Sequence, residues 1–396
     1  MYGGILGEND APRKHIVDVI RQLKEFGHHI TVSSSRGRTA QAVKDLMEQL
    51  DRSHIQYDEI ELHDVGKDYS VLVGSYVCDA HGDLHSTLGL PCELYSSDVV
   101  QPRYFNELKF TETSVIKRSD IETLSGESFY YENIPQALAK LFPKLLEKQI
   151  DDDGRLCITV SKLEGTTFSQ LSVNRCVHEP ELRSLLSAIQ TLHSHHNTTT
   201  VETGKVNYYE NYATKVERRF YQHHSLYERI HESEKTIPCY VDSIISALKE
   251  YEITDRSDIR HYIHGDPVFS NCLHTLEGDT QFLDMNGKLG NVLTTAGDCT
   301  YDLAKILQSL FGYDYILLDV PINEADAELL SQLRKYFKDH VFRFYPKILW
   351  QDIVLVTASL YVSLIPLHNN FSHQVKFWRM GRRVYDAWKD ITGGER

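Results

Sequence analysis

The reading of this chain turns on Tyr262-Ile263-His264-Gly265-Asp266-Pro267-Val268-Phe269-Ser270-Asn271-Cys272-Leu273, with Gln281-Phe282-Leu283-Asp284-Met285-Asn286-Gly287 close behind. Asn271 stands five residues after Asp266, and Asp284 ends the next apolar run, thirteen residues beyond Asn271. Short strands in this segment would form a hairpin and bring the three polar side chains to one mouth. That trio suits phosphoryl transfer. The first Asp would orient and deprotonate an acceptor hydroxyl, while the Asn and the second Asp offer magnesium hard oxygen ligands. An Asp-to-Asn spacing of five is common by chance, so the weight rests on its combination with His264-Gly265 and with a second Asp after an apolar strand.

Outward from this segment the texture divides. Upstream, Glu107 to Arg118 reads as two short strands around the turn Glu112-Thr113-Ser114, and a helix begins near Ser125. A third strand, Leu156-Cys157-Ile158-Thr159-Val160, follows the turn Asp151-Asp152-Asp153-Gly154. This is a small sheet with one helix. From Thr166 onward long helical patterns dominate, interrupted only by the Gly-, Asp- and Asn-rich segment His261 to Gly290.

The His-Gly-Asp segment resembles the catalytic and metal-binding loops of the aminoglycoside phosphotransferase and choline kinase superfamily, small-molecule relatives of protein kinases. The resemblance covers about residues 100 to 396 and implies an α+β bilobal kinase-like fold. It makes Asp266 the catalytic base and Asn271 and Asp284 the magnesium ligands, with ATP as phosphoryl donor and a small-molecule hydroxyl as acceptor. It also implies that Lys117, ending the strand Val115-Ile116-Lys117, grips the nucleotide phosphates and that Glu127 in the next helix is its ion-pair partner. Glu132 is the fallback, because a five-residue offset puts it on another helix face. The run Val160 to Gly165 resembles the hinge between lobes, with backbone groups of Ser161 to Leu163 at the adenine edge. His264 is expected to hydrogen-bond the loop backbone. Asp302, in Tyr301-Asp302-Leu303-Ala304-Lys305, is expected to prop the catalytic loop. One departure is the absence of a glycine-rich loop before Lys117.

The first 95 residues alternate helix and strand patterns. A helix is expected from Arg13 to Phe26, a strand at His29 to Val32, a helix carrying Ala42, Val43, Leu46, Met47 and Leu50, and a strand at Ser70 to Tyr76. Alternation of this kind predicts an α/β domain with a parallel sheet. The segment Gly27 to Arg36 resembles the second motif of haloacid-dehalogenase-like phosphatases found in capsule-polysaccharide loci. Ser34 takes the phosphate-binding place, Tyr57-Asp58-Glu59-Ile60 follows, and Lys67 and Asp79 stand as remnants of later motifs. The Asp-x-Asp nucleophile motif is missing, so the resemblance is to an incomplete domain without the covalent route. The expected domains are 1–97, dehalogenase-like and non-catalytic; 98–165, the kinase-like N-lobe; and 166–396, the helical C-lobe.

Composition narrows the alternatives. In 396 residues, 42 Lys and Arg against 56 Asp and Glu give a net charge of −14, which disfavours nucleic acid and anionic lipid surfaces. No run of some 18 apolar residues is evident, and the start of the chain lacks a secretory pattern, so no membrane insertion and a cytoplasmic address are expected. Seven scattered cysteines without a Cys-x-x-Cys pair fit reduced thiols. Among the 20 histidines, His193, His195 and His196, and the pair His223 and His224, read as solvated helix faces rather than metal ligands. Tyr208, Tyr209, Tyr212, Phe220, Tyr221, Trp350, Tyr361 and Trp378 read mostly as core, with an acceptor pocket as the alternative use. Two rival classes stand beside the kinase reading: a nucleotide-binding pseudokinase or scaffold, and a phosphatase with an unrecognised nucleophile.

Overall fold

The computed structural model describes residues 21, 24, 30–34, 40–52, 54–62, 71–73, 76–78, 84–85, 107–111, 113–196, 202–234, 239–275 and 277–393. The chain divides into two compact units, one of residues 1–104 with 170–176 and one of residues 105–169 with 177–396.

In the first unit, β1 (Ile30–Ser34), α1 (Ala40–Arg52), β2 (Glu59–Leu62), β3 (Val71–Val73), β4 (Tyr76–Cys78) and β5 (Leu84–His85) form one sheet in the order β2-β1-β3-β4-β5. Ile30, Val32, Leu46, Leu50 and Ile55 are buried, matching the alternation in β1 and the helical spacing in α1. The expectation of a parallel sheet needs correction, because among the described strands only β1 and β2 pair in parallel. The expected strand Ser70 to Tyr76 is in fact two, with Val73 opposite Tyr76. Strands separated by two residues must run antiparallel, since a parallel return needs a crossover of a dozen or more. The Asp58 amide donates to the Ile30 carbonyl at 2.8 Å and its carboxylate accepts from the Ile30 amide at 2.7 Å, which pins the start of β1. Most of the helix expected from Arg13 to Phe26, together with Lys67 and Asp79, lies outside the described residues.

The second unit opens with an antiparallel sheet of β6 (Glu107–Phe110), β7 (Ser114–Ser119), β8 (Leu145–Ile150) and β9 (Leu156–Ser161), ordered β6-β7-β9-β8. Leu156, Ile158 and Val160 of the inner strand β9 are buried. Strand β8 escapes the sequence reading because it is an edge strand whose Leu146 and Ile150 stay exposed, leaving no clean alternation. α2 (Ile121–Glu132) starts four residues before the expected Ser125, directly after β7, and buries Leu124, Ser128, Tyr130 and Tyr131.

Helices dominate the rest: α3 (Glu179–Ser194), α4 (Ala213–Gln222), α5 (His224–Glu234), α6 (Cys239–Ile253), α7 (Cys299–Leu310), α8 (Glu324–Phe344), α9 (Trp350–Leu364) and α10 (Phe371–Thr392). α8 begins at a capping box: the Asn323 side chain accepts from the Asp326 amide at 3.0 Å and the Asp326 carboxylate accepts from the Asn323 amide at 2.9 Å. α9 is the central core helix, buried from Asp352 to Leu364 against α7 and α10. The stretch Trp350–Leu367 is long and apolar enough to cross a membrane, which corrects the expectation that no such run exists, yet 78% of it is buried inside the protein. Tyr212, Phe220, Tyr361 and Trp378 belong to the core, whereas Tyr221 is exposed.

Between α6 and α7 the chain forms the predicted hairpin. β10 (Thr166–Thr167), β11 (Cys272–His274) and β12 (Thr280–Phe282) make a three-stranded sheet, with Cys272 opposite Phe282 and His274 opposite Thr280.

Candidate active site

Asn271 immediately precedes β11 and Leu283 follows β12, and the Leu283 amide donates to the Asn271 carbonyl at 2.9 Å. The ladder therefore places Asn271 and Asp284 at the same open end of the hairpin. Asp284 sits in the left-handed region, φ 58°, which non-glycine residues rarely adopt and which recurs at functional sites. The Asn271 side-chain amide donates to the Asp266 carbonyl at 2.9 Å, closing the loop from 266 to 271 on itself.

The loop backbone is held from behind by Asp302 in the first turn of α7. Its two carboxylate oxygens accept from the amides of His264 at 2.7 Å and Gly265 at 2.8 Å. Asp302 is fully buried, so these charge-assisted bonds compensate its desolvation. His193 of α3 completes the arrangement, 3.0 Å from Asp302 Oδ2 and 3.0 Å from the Tyr345 hydroxyl. This corrects the expectation of a solvated face at His193, which is 1% exposed. The helical spacing carried the signal: His193 follows Ile189 by four residues, on the stripe of Leu185, Leu186, Ile189 and Leu192. His264 accepts from the Asp266 amide at its Nδ1, 3.1 Å away. Burial pushes its pKa down, so it serves as a neutral structural acceptor.

Two glycines let the loops approach. Gly265 has φ 82°, and a Cβ there would lie 2.6 Å from the Asn286 Cβ. At Gly126, in the middle of α2, a Cβ would lie 2.2 Å from the Asn286 carbonyl oxygen. The Asn286 amide in turn donates to the His264 carbonyl at 2.9 Å. The loop of Asp266, the loop of Asp284 and α2 thus meet at the Asn286 backbone.

Lys117 reaches into this junction from β7. Its Nζ lies 2.6 Å from Glu127 Oε1 and also bonds Asp284. Burial opposes the ammonium, but the carboxylates of Asp284 and Glu127 outweigh it and hold its pKa well above the usual lysine range. Burial likewise pushes Glu127 up against the pull of Lys117. Glu132, on another face of α2, pairs instead with Lys148 at 2.9 Å. At the end of β9 the Ser161 amide donates to the Lys144 carbonyl at 2.8 Å and the Lys162 amide to the Thr113 carbonyl at 2.9 Å. The Ser161 N–H is thus used in joining the strands. The Leu163 amide has no such partner among the described residues. Asp266 is 2.8 Å from Lys305 Nζ, an ion pair the sequence reading did not anticipate.

The donor set fits magnesium. Asp284 offers a half-exposed carboxylate and Asn271 its Oδ1, both hard oxygens, and magnesium commonly takes one or two carboxylates with phosphate oxygens completing its octahedron. Among the described residues no cluster of three His, Cys, Asp or Glu could hold a metal ion by itself.

No family model matches the sequence, and no curated protein matches it. Among solved structures the chain is similar to an aminoglycoside phosphotransferase from Streptomyces rimosus, at 13% identity over 69% of this chain and 96% of that one, TM-score 0.43. It is similar also to a choline kinase from Streptococcus pneumoniae, at 14% identity over 71% of this chain and 89% of that one, TM-score 0.44. A thermostable aminoglycoside phosphotransferase mutant in complex with ADP and hygromycin B gives 12% identity over 74% and 98%, TM-score 0.45.

Proposed function

We propose that this chain is a small-molecule kinase, transferring the γ-phosphoryl group of ATP to a hydroxyl of a sugar, polyol or amino alcohol. One observation carries the reading: Asp266, Asn271 and Asp284 gather at one end of a hairpin while Lys117, bonded to Glu127, reaches Asp284 from the facing sheet.

In this proposal Asp266 orients the acceptor hydroxyl and takes its proton at the carboxylate as the new O–P bond forms and the bond to ADP breaks. Lys117 neutralises phosphate oxygens, and Glu127 keeps its ammonium aimed. Asn271 and Asp284 would hold Mg²⁺, which when bound offsets the negative charge of the phosphates. Asp302 keeps the loop rigid beneath Asp266, and the Leu163 amide is the donor for the adenine edge. The first unit is a dehalogenase-like domain without phosphatase activity. A cytoplasmic address and a place in capsule or surface-polysaccharide synthesis belong to the same proposal and rest on sequence alone.

The test is a panel of hydroxyl acceptors with radiolabelled ATP, products read by mass, for the full chain and for Asp266→Asn. Transfer by the natural chain, reduced about 10²- to 10⁴-fold in the variant with nucleotide binding kept, supports the proposal. Undiminished transfer by the variant refutes Asp266 as base. Magnesium-dependent ATP binding with no transfer to any acceptor favours the scaffold reading.

A further inference from the structure

Beside Asp266 the structure carries two lysines that the proposed reaction does not yet use. Lys305 comes from α7, one turn beyond Asp302, so the helix that fixes the loop backbone also presents a cation to its carboxylate at 2.8 Å. Both side chains are only partly open to solvent, 16% for Lys305 and 26% for Asp266. Tyr301, four residues before Lys305 on the same helix face, is buried. Its hydroxyl bonds Lys215 of α4, whose Nζ lies 4.6 Å from the ring centroid, while Lys305 Nζ lies 5.8 Å from it.

Lys215 is 5% exposed, and among the described residues no carboxylate stands within ion-pair distance of it. Burying an amine without a counter-charge is costly, and an apolar side chain of similar length would fill the space without that cost. Burial, joined by the charges of Lys305 and Arg219, pushes its pKa well below the lysine range; the charge of Asp266 pulls the other way. Two amines from two helices therefore converge on one ring next to the proposed base. An incoming oxyanion would supply the counter-charge that the fold withholds.

We propose that Lys305 and Lys215, whose amines both lie within 6 Å of the Tyr301 ring centroid, form a subsite for a phosphate group beside Asp266. The subsite rests on the reading of Asp266 as the acceptor-facing base. The group that fills it comes either from the nucleotide, as its transferable phosphate, or from an anionic substituent on the acceptor.

The experiment titrates the full chain, and its variants Lys305→Met, Lys305→Arg and Lys215→Met, with inorganic phosphate, Mg-ADP and Mg-AMP-PNP by calorimetry, with thermal melts alongside. Phosphate binding weakened at least about tenfold in both Met variants and kept in Lys305→Arg supports the subsite. Lys215→Met melts at or above the natural temperature if its amine serves a ligand, and below it if the amine serves only the fold. AMP-PNP weakened with ADP unchanged in Lys305→Met assigns the subsite to the nucleotide. Unchanged nucleotide affinities, with phosphate still binding to the AMP-PNP-loaded chain, assign it to the acceptor. Phosphate and AMP-PNP affinities equal in all forms overturn the subsite. Failure of the natural chain to bind any magnesium nucleotide overturns the kinase reading instead, leaving the phosphate titration to judge the subsite.

Discussion

Lys117 on β7 holds two carboxylates at once, Glu127 at 2.6 Å from the following helix and Asp284 from the loop 167 residues further along the chain. One ammonium thereby joins the sheet, its helix and the loop of Asp284, and each partner affects the placement of the others.

Lys117→Met should leave Glu127 buried without its cation. Loss of one member of a buried pair costs about 3–5 kcal/mol, at the lower end here because Asp284 is half exposed. The double variant Lys117→Met/Glu127→Leu should recover part of that loss, with a coupling of about 0.5–3 kcal/mol. Chemical denaturation of the three proteins checks this, and additive losses would refute the pairing.

Asp302→Ala removes the acceptor for two buried loop amides and for His193. Each orphaned donor costs about 1–3 kcal/mol, so a loss beyond that of a single hydrogen bond is expected. Phosphoryl transfer should fall together with stability because the loop under Asp266 loses its support. His193→Phe, which leaves the two amide bonds in place, should cost less in both melting temperature and transfer.

Gly126→Ala separates helix propensity from packing. Propensity alone would stabilise α2 by about 1 kcal/mol, whereas forcing a methyl against the Asn286 carbonyl should destabilise by about 1–3 kcal/mol. A lower melting temperature with weaker magnesium-nucleotide binding is the expected outcome. A higher melting temperature would show that the loop carrying Asn286 can move aside.

Asp314 gives the pH dependence a sign. Burial pushes its pKa up from 3.8 to about 6, against the opposing effect of the Ser169 and Ser309 hydroxyls. Between those values the folded state holds the proton more tightly than the unfolded chain, so this group's contribution falls as pH rises from about 4 to 6 and stays lost above. Asp314→Asn should therefore stabilise the protein near pH 7 to 8, by on the order of 3 kcal/mol at most, and give little gain near pH 4. Equal gains at both pH values would refute this origin.

The sequence by itself determined the local pieces. Spacing foretold that Asp266, Asn271 and Asp284 come together, because a hairpin converts chain separation into proximity whatever surrounds it. Strand β9 was legible because its apolar run is its buried run, and α1 was legible from the helical spacing of the buried Leu46 and Leu50. Asp302 was legible only through the family resemblance of the segment that carries it.

The tertiary structure decided what depends on distant neighbours. β8 was invisible because an edge strand exposes its apolar side chains, and the mixed sheet of the first unit follows from strand pairings that no local pattern encodes. Glu127 was chosen over Glu132 by the direction of α2 against β7. His193, Lys215 and Lys305 have ordinary places in their helices, and their chemistry comes only from the packing that buries them beside Asp302, Tyr301 and Asp266. Burial and charge proximity depend on how elements from separate parts of the chain come together, and that assembly fixes the electrostatics of this site.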